Sequence, residues 1–208
     1  MVIHAFGDSY TNGFNDDSVS WVKNYIKWKG YKPKGYVEYI SEYYNCDSIN
    51  HAIQGADNYT ILESFCNKFE GINEDDLIIL NWSGTNRFRI VNNFDKWISV
   101  LPNFSGIENQ SEISEKTANE ILVNRTSLKC LEEVRSWTKL INYLSKERKI
   151  FQWSYLPEFK LDTINNINLI YETITIETKG VIIDSHLSEE GNKNLSKEII
   201  KLINRDYI

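Results

Sequence analysis

Short apolar runs alternating with helical patterns constrain this chain more than any other feature. Residues 2–6, 48–53, 77–82, 150–155 and 181–183 are apolar runs too brief for a helix and suited to strands, the first ending in Gly7. Several are apolar on both faces, as a parallel sheet covered by helices on each side requires. Between them lie Trp21, Tyr25 and Trp28 at i, i+4, i+7, then residues 36–44, then 60–69, and the series Leu128, Leu131, Val134, Trp137, Ile141, Leu144. A last helix is expected to open at Ser188, whose hydroxyl caps it while Glu189 and Glu190 complement its dipole; it runs through Leu195, Ile199, Leu202 and Ile203. Alternation over the whole length predicts an α/β fold: a three-layer sandwich of five mostly parallel strands with helices on both faces, one domain spanning 1–208. Ligands of such sheets gather outside the carboxyl ends of the strands, near a switch in strand order, so the site is expected there.

One stretch breaks the pattern. Residues 102–124 are polar, rich in Ser, Asn and Glu, and read as an inserted lid or rim segment. The formal net charge of -6 argues against a protein held on nucleic acid by bulk positive charge. Lysines 23, 27, 29, 32 and 34 alternate with Trp and Tyr, which reads as a solvated helix face with snorkelling lysines. No segment approaches the roughly 18–20 uninterrupted apolar residues of a membrane span. Residues 1–9 carry neither a charged leader nor an apolar signal core, and Cys46, Cys66 and Cys130 are widely spaced and odd in number, so reduced thiols and a cytoplasmic location are expected.

Gly7, Asp8, Ser9 and Tyr10 follow the first strand directly and put a hydroxyl at the carboxyl edge of the sheet. Serine is a weak nucleophile that needs a base within hydrogen-bond reach and donors aimed at an oxyanion. The chain has three histidines. His4 and His51 fall inside strands and read as packed core residues, whereas His186 follows the 181–183 run and precedes the capped helix, at the edge where Ser9 is expected. Asp8 reads as an Asx-type tie on its own turn, and Asp75 and Asp76 as a solvated strand entry. No residue pattern indicates a metal or another cofactor.

Gly7-Asp8-Ser9-Tyr10, the isolated Gly55, Ser83-Gly84-Thr85-Asn86 and Asp184-Ser185-His186-Leu187-Ser188 together resemble the four sequence blocks of the SGNH (GDSL-type) hydrolases, in order and in spacing across the chain. The resemblance implies a flavodoxin-like sandwich in which Ser9 attacks an ester carbonyl, His186 is the base, and the Ser9 amide, the Gly55 amide and the Asn86 side chain donate to the oxyanion. Two positions depart from the family pattern. Tyr10 stands where leucine is usual. The family's acid stands three residues before its histidine; here that residue is Ile183, and Asp184 stands two before His186. Residues i and i+2 of an extended segment point the same way, so Asp184 is read as the orienting acid, with a backbone carbonyl and a Ser-His dyad as the alternative.

Tyr10, Trp82, Phe88 and Trp153 fall at or beyond strand ends and are read as substrate-binding aromatics, with Arg87 and Arg89 beside Phe88. The expected function is a serine esterase that removes a short acyl group such as acetyl from a carbohydrate or other polar alcohol, with the ester as the partner and no nucleic acid. A lipase or thioesterase on longer chains, and a non-catalytic glycan-binding module on the same scaffold, are the alternatives. The sequence leaves the oligomeric state undetermined.

Overall fold

The computed structural model describes residues 1–85, 87–91, 97–100, 127–145, 147–156, 159, 161–168 and 172–207. In chain order the elements are β1 (Val2–Phe6), α1 (Ser9–Asn12), α2 (Ser20–Lys29), α3 (Tyr36–Tyr44), β2 (Asp47–Asn50), α4 (Asn58–Phe69), β3 (Leu77–Asn81), β4 (Phe88–Val91), β5 (Trp97–Val100), α5 (Ser127–Leu144), β6 (Lys149–Ser154), β7 (Asn165–Asn166), α6 (Ile174–Glu177) and α7 (Glu189–Tyr207). Five strands form one parallel sheet in the order β2-β1-β3-β6-β7. Counted within that sheet the order is 2-1-3-4-5, the flavodoxin-like winding, whose switch point lies between the first and third strands. The expected architecture is therefore present. An antiparallel pair, β4 with β5, follows β3 and was not foreseen in the pattern.

Period-two alternation explains the two cores. Ile3 and Ala5 of β1, Leu77 and Ile79 of β3, and Phe151 and Trp153 of β6 pack on Val37 and Ile40 of α3 and on Leu195 and Ile199 of α7. The alternate residues Phe6, Ile78, Leu80 and Ile150 pack on Ile61 and Phe65 of α4 and on Val134 and Ile141 of α5. Each such side chain contributes about 1.5–3 kcal/mol on burial, which is why β3 is apolar and buried at almost every position. A smaller cluster of Phe14, Val22, Tyr25 and Ile174 seats α2.

Three local readings are corrected. Residues 181–183 are not a strand: Val181 and Ile183 are 73% and 89% exposed, and the fifth strand is the two-residue β7, paired to Trp153 and Ser154. The 181–184 segment instead hydrogen-bonds to α6 and its flank, Ile182 N–H to Thr178 Oγ1 at 3.1 Å and Asp184 N–H to Thr175 Oγ1 at 2.7 Å. Asp76 is buried rather than solvated, accepting from Val2 N–H at 2.6 Å and from Asn73 N–H at 3.2 Å, and so fixes the start of β1. In α2 the buried face is Val22 and Tyr25, while Trp28 is 44% exposed. The lid reading for 102–124 falls outside the described residues.

His4 and His51 form a stacked, hydrogen-bonded pair, Nδ1 to Nε2 at 3.1 Å, with His51 stacked on Phe6. Burial, then the neighbouring His4 and Lys68, push the His51 imidazole down to about 4. Burial also lowers His4, against the pull of Asp76.

Two predictions follow from this packing. A Cβ at Gly7 would lie 2.3 Å from Thr11 Oγ1 and 2.9 Å from Asn81 Cβ; Gly7→Ala is expected to cost about 1–3 kcal/mol by overpacking, read in urea unfolding. The unfolded chain protonates His4 and His51 near 6.5, the folded chain binds those two protons only at lower pH, so the unfolded state holds more protons in between. Stability is thus full at neutral pH and declines as pH drops from about 6.5 toward 4, and the slope of Tm against pH in that window is expected to flatten in His51→Gln.

Candidate active site

The β1 strand ends at the switch point and delivers Asp8 and Ser9. Asp8 caps α1, its Oδ1 accepting the Tyr10 N–H at 3.0 Å. Its Oδ2 accepts from Ser83 Oγ at 2.8 Å and from an Arg87 guanidinium nitrogen at 3.0 Å, so a fully buried carboxylate joins the turn after β1 to the turn after β3. Ser83 is held from its other side by Asn58, which receives the Ser83 N–H at 2.7 Å and donates to the Ser83 carbonyl at 2.9 Å. Ser9 occupies the first position of α1 and is 4% exposed. Among the described residues no acceptor takes its N–H, consistent with the free donors at a helix start.

The loop after β2 is tied to α1 by Asn12 Nδ2 on the Ala52 carbonyl at 2.9 Å and by Gln54 Nε2 on Asn12 Oδ1 at 3.2 Å. Gly55 in that loop has φ +73°, a left-handed conformation that L side chains disfavour, and its N–H has no acceptor among the described residues. Asn86, the third oxyanion donor expected from the sequence, lies outside the described residues.

His186 stands on the loop before α7. Its Nδ1 is 2.7 Å from Asp184 Oδ1, and the same oxygen accepts the His186 N–H at 2.8 Å. Burial alone would raise the Asp184 carboxyl, but the hydrogen bonds from the His186 ring and backbone and the charge of the ring hold it below the ordinary carboxylate range. The loop is strapped to α6 by Ile174 N–H on the His186 carbonyl at 2.9 Å and by Thr175 Oγ1 on the Asp184 carbonyl at 2.7 Å. The imidazole is stacked face to face on Trp21, with centroids 4.2 Å apart and planes 8° from parallel. The ring of Tyr10, next to Ser9, is 5.4 Å from it. The N-terminal hydroxyl turn and the C-terminal imidazole loop therefore converge, although no Ser9–His186 hydrogen bond is present.

A polar cluster holds α2 in this position. The Tyr25 hydroxyl donates to Glu177 and accepts the Glu189 N–H at 3.0 Å, while Lys29 Nζ reaches Glu177 at 2.6 Å and Glu189 at 3.3 Å. Helix α2, with Trp21 at its start, is in this way anchored to the elements on either side of the His186 loop. Lys29 is thus paired rather than solvated.

The aromatic readings divide. Tyr10 lies beside His186 and packs on Tyr155, centroids 4.5 Å apart. Trp82 and Trp153 are both 0% exposed and belong to the two cores, so neither can face a substrate. Their reading is corrected for a geometric reason: strand side chains project into the helical layers, not off the carboxyl edge. Phe88 begins β4, and its side chain lies outside the described residues. Trp21 was not singled out as a site residue; its spacing from Trp28 fitted an ordinary apolar helix face, and nothing local marks a contact with residue 186.

Comparison with known proteins agrees with this geometry at the level of fold. No family model and no curated protein sequence matches the chain. Solved structures do. A lipase from a goat rumen metagenome is similar with TM-score 0.52 and 16% identity, covering 98% of this chain and 97% of its own. An acetyl xylan esterase from the rumen bacterium Butyrivibrio proteoclasticus has TM-score 0.52 and 14% identity over 98% of this chain and 63% of its own. A carbohydrate esterase whose active site displays divergent catalytic and non-catalytic binding functions has TM-score 0.51 and 13% identity over 99% of this chain and 69% of its own. The chain shares the α/β sandwich fold of these lipase and esterase structures. No helix among the described residues is long and apolar enough to cross a membrane.

Removing the Asp8 carboxylate leaves Arg87 and Ser83 without their buried partner. Asp8→Ala is expected to lower stability by about 3–5 kcal/mol in denaturant unfolding, and Asp8→Asn, which keeps the cap acceptor, by clearly less.

Proposed function

We propose that the chain is a serine esterase with Ser9 as nucleophile, His186 as base and Asp184 as the residue that orients it. The observation that carries this reading is the His186 imidazole, bonded through Nδ1 to Asp184 at 2.7 Å and packed beside the residue that follows Ser9. With Nδ1 occupied, the other ring nitrogen is free to take a proton. His186 accepts the Ser9 Oγ proton as Oγ bonds to the ester carbonyl carbon. The oxyanion forms against the N–H groups of Ser9 and Gly55 and the Asn86 amide, each worth about 2.7–4 kcal/mol of barrier. His186 returns the proton to the departing alcohol, and water, activated by the same ring, releases the acid from Ser9. Catalytic hydrogen bonds are commonly long without substrate and tighten in the Michaelis complex, which accommodates the missing Ser9–His186 bond.

The substrate proposed is a short acyl ester, acetyl above all, on a carbohydrate or other polar alcohol. Support comes from the acetyl xylan esterase and the carbohydrate esterase among the similar folds, an analogy of fold. The lipase among them keeps a longer acyl group as the alternative.

Ser9→Ala is expected to abolish p-nitrophenyl acetate hydrolysis, and a near wild-type rate in the folded variant would overturn the proposal. Asp184→Asn is expected to reduce kcat by a factor on the order of 10⁴, because the imidazole is then held in the wrong tautomer; a loss of less than about tenfold would instead indicate a Ser-His dyad. Across nitrophenyl acetate, butyrate and octanoate, kcat/KM is expected to be greatest for acetate, while a maximum at octanoate would favour the lipase reading.

A further inference from the structure

A groove of about 620 Å³ runs between α2 and the 181–184 segment. Its α2 wall is formed by Ser20, Trp21, Asn24, Lys27 and Trp28, residues that share one helix face bordering the buried Tyr25, on which Trp28 stacks. Two of its lining residues also touch the proposed base: Trp21, stacked on the imidazole, and Asp184, bonded to Nδ1. The groove therefore adjoins the two residues that touch His186 and continues along α2 to Trp28, about 10 Å beyond Trp21 at 1.5 Å per residue.

Its chemistry is mixed in a definite way. Among the described residues the side chains of Ser20, Asn24 and Lys27 make no hydrogen bond or ion pair, whereas the adjacent Lys29 is engaged by Glu177 and Glu189. Trp21 and Trp28 thus bracket the Asn24 amide and the Lys27 ammonium, with the Ser20 hydroxyl just before Trp21, none of the three partnered among the described residues. An acyl chain lying there would strip water from these groups and return no hydrogen bonds. A pyranose ring presents an apolar C–H face to an indole and hydroxyls to an amide or ammonium, so it satisfies both kinds of surface.

We infer that this groove binds the saccharide chain of the ester's alcohol, with Trp28 and Asn24 as its distal contacts. The inference rests on the esterase reading for its biological meaning, and binding is measurable without turnover. Ser9→Ala protein would be titrated calorimetrically with xylotetraose, cellotetraose and chitotetraose, then again with Trp28→Ala or Asn24→Ala added. Trp28 is 44% exposed, so its removal leaves the core intact, and circular dichroism verifies folding of each variant. The expected result is saturable binding of at least one tetraose, weakened about fivefold to tenfold by either substitution. Binding of none of the three, or binding indifferent to both substitutions, overturns the inference. Saccharide binding in a chain whose wild-type form turns over no ester supports the groove and overturns the esterase reading alone.

Discussion

Asp8 has no solvent exposure, yet it carries four structural duties at once. Its backbone forms part of the turn that follows β1, its carbonyl accepts the first helical bonds of α1, one carboxylate oxygen caps that helix, and the other binds Ser83 and Arg87. A buried carboxylate is tolerated only when its oxygens are satisfied, preferably by charge-assisted donors. The turns after β1 and β3 are therefore obliged to sit together at the switch point. Because β1 pairs with both β2 and β3, a displacement of that junction would move the Ser9 turn relative to the Gly55 loop as well.

The imidazole side of the site is built differently. Its loop joins the five-stranded sheet nowhere among the described residues; an isolated antiparallel bridge of Thr173 with Leu187 and the Ile174 N–H on the His186 carbonyl hold it, together with side-chain straps: Thr175 on both polar groups of the Asp184 backbone, Asp184 on His186, and Trp21 on the ring face. Helix α2 is in turn held by the Tyr25, Lys29, Glu177 and Glu189 cluster. The proposed nucleophile is thus placed by a turn off the parallel sheet, and the proposed base by a loop bonded to the start of α6 and packed against α2. The groove along α2 is continuous with that packing, so one element both stacks on the His186 ring and borders the surface proposed for the alcohol.

Much of this was legible in the residues. Apolar faces on both sides of 2–6, 77–82 and 150–155 required a covered parallel sheet, and the hydroxyl cap at Ser188 was read correctly, its Oγ accepting the Gly191 N–H at 3.2 Å. The Asx reading of Asp8 also held on its Oδ1, while its ion pair with Arg87 required knowing that residues 79 apart meet. The strand assigned to 181–183 failed because an apolar triplet carries no record of whether a sheet edge is available to it. Asn165–Asn166 took that edge without any apolar signal.

By itself, the sequence determined a parallel sheet covered by helices on both faces and the chemical identity of the groups at its carboxyl edge, because strand burial and turn chemistry are written in short-range patterns. Tertiary structure alone decided which aromatic residues meet the site. Trp82 and Trp153 looked edge-facing at strand ends and were drawn into the two cores, whereas Trp21 came to the imidazole 165 positions away, by the arithmetic of residue numbers 186 and 21. Such contacts arise from the docking of α2 on α6 and α7, a long-range packing event that leaves no periodic trace along the chain.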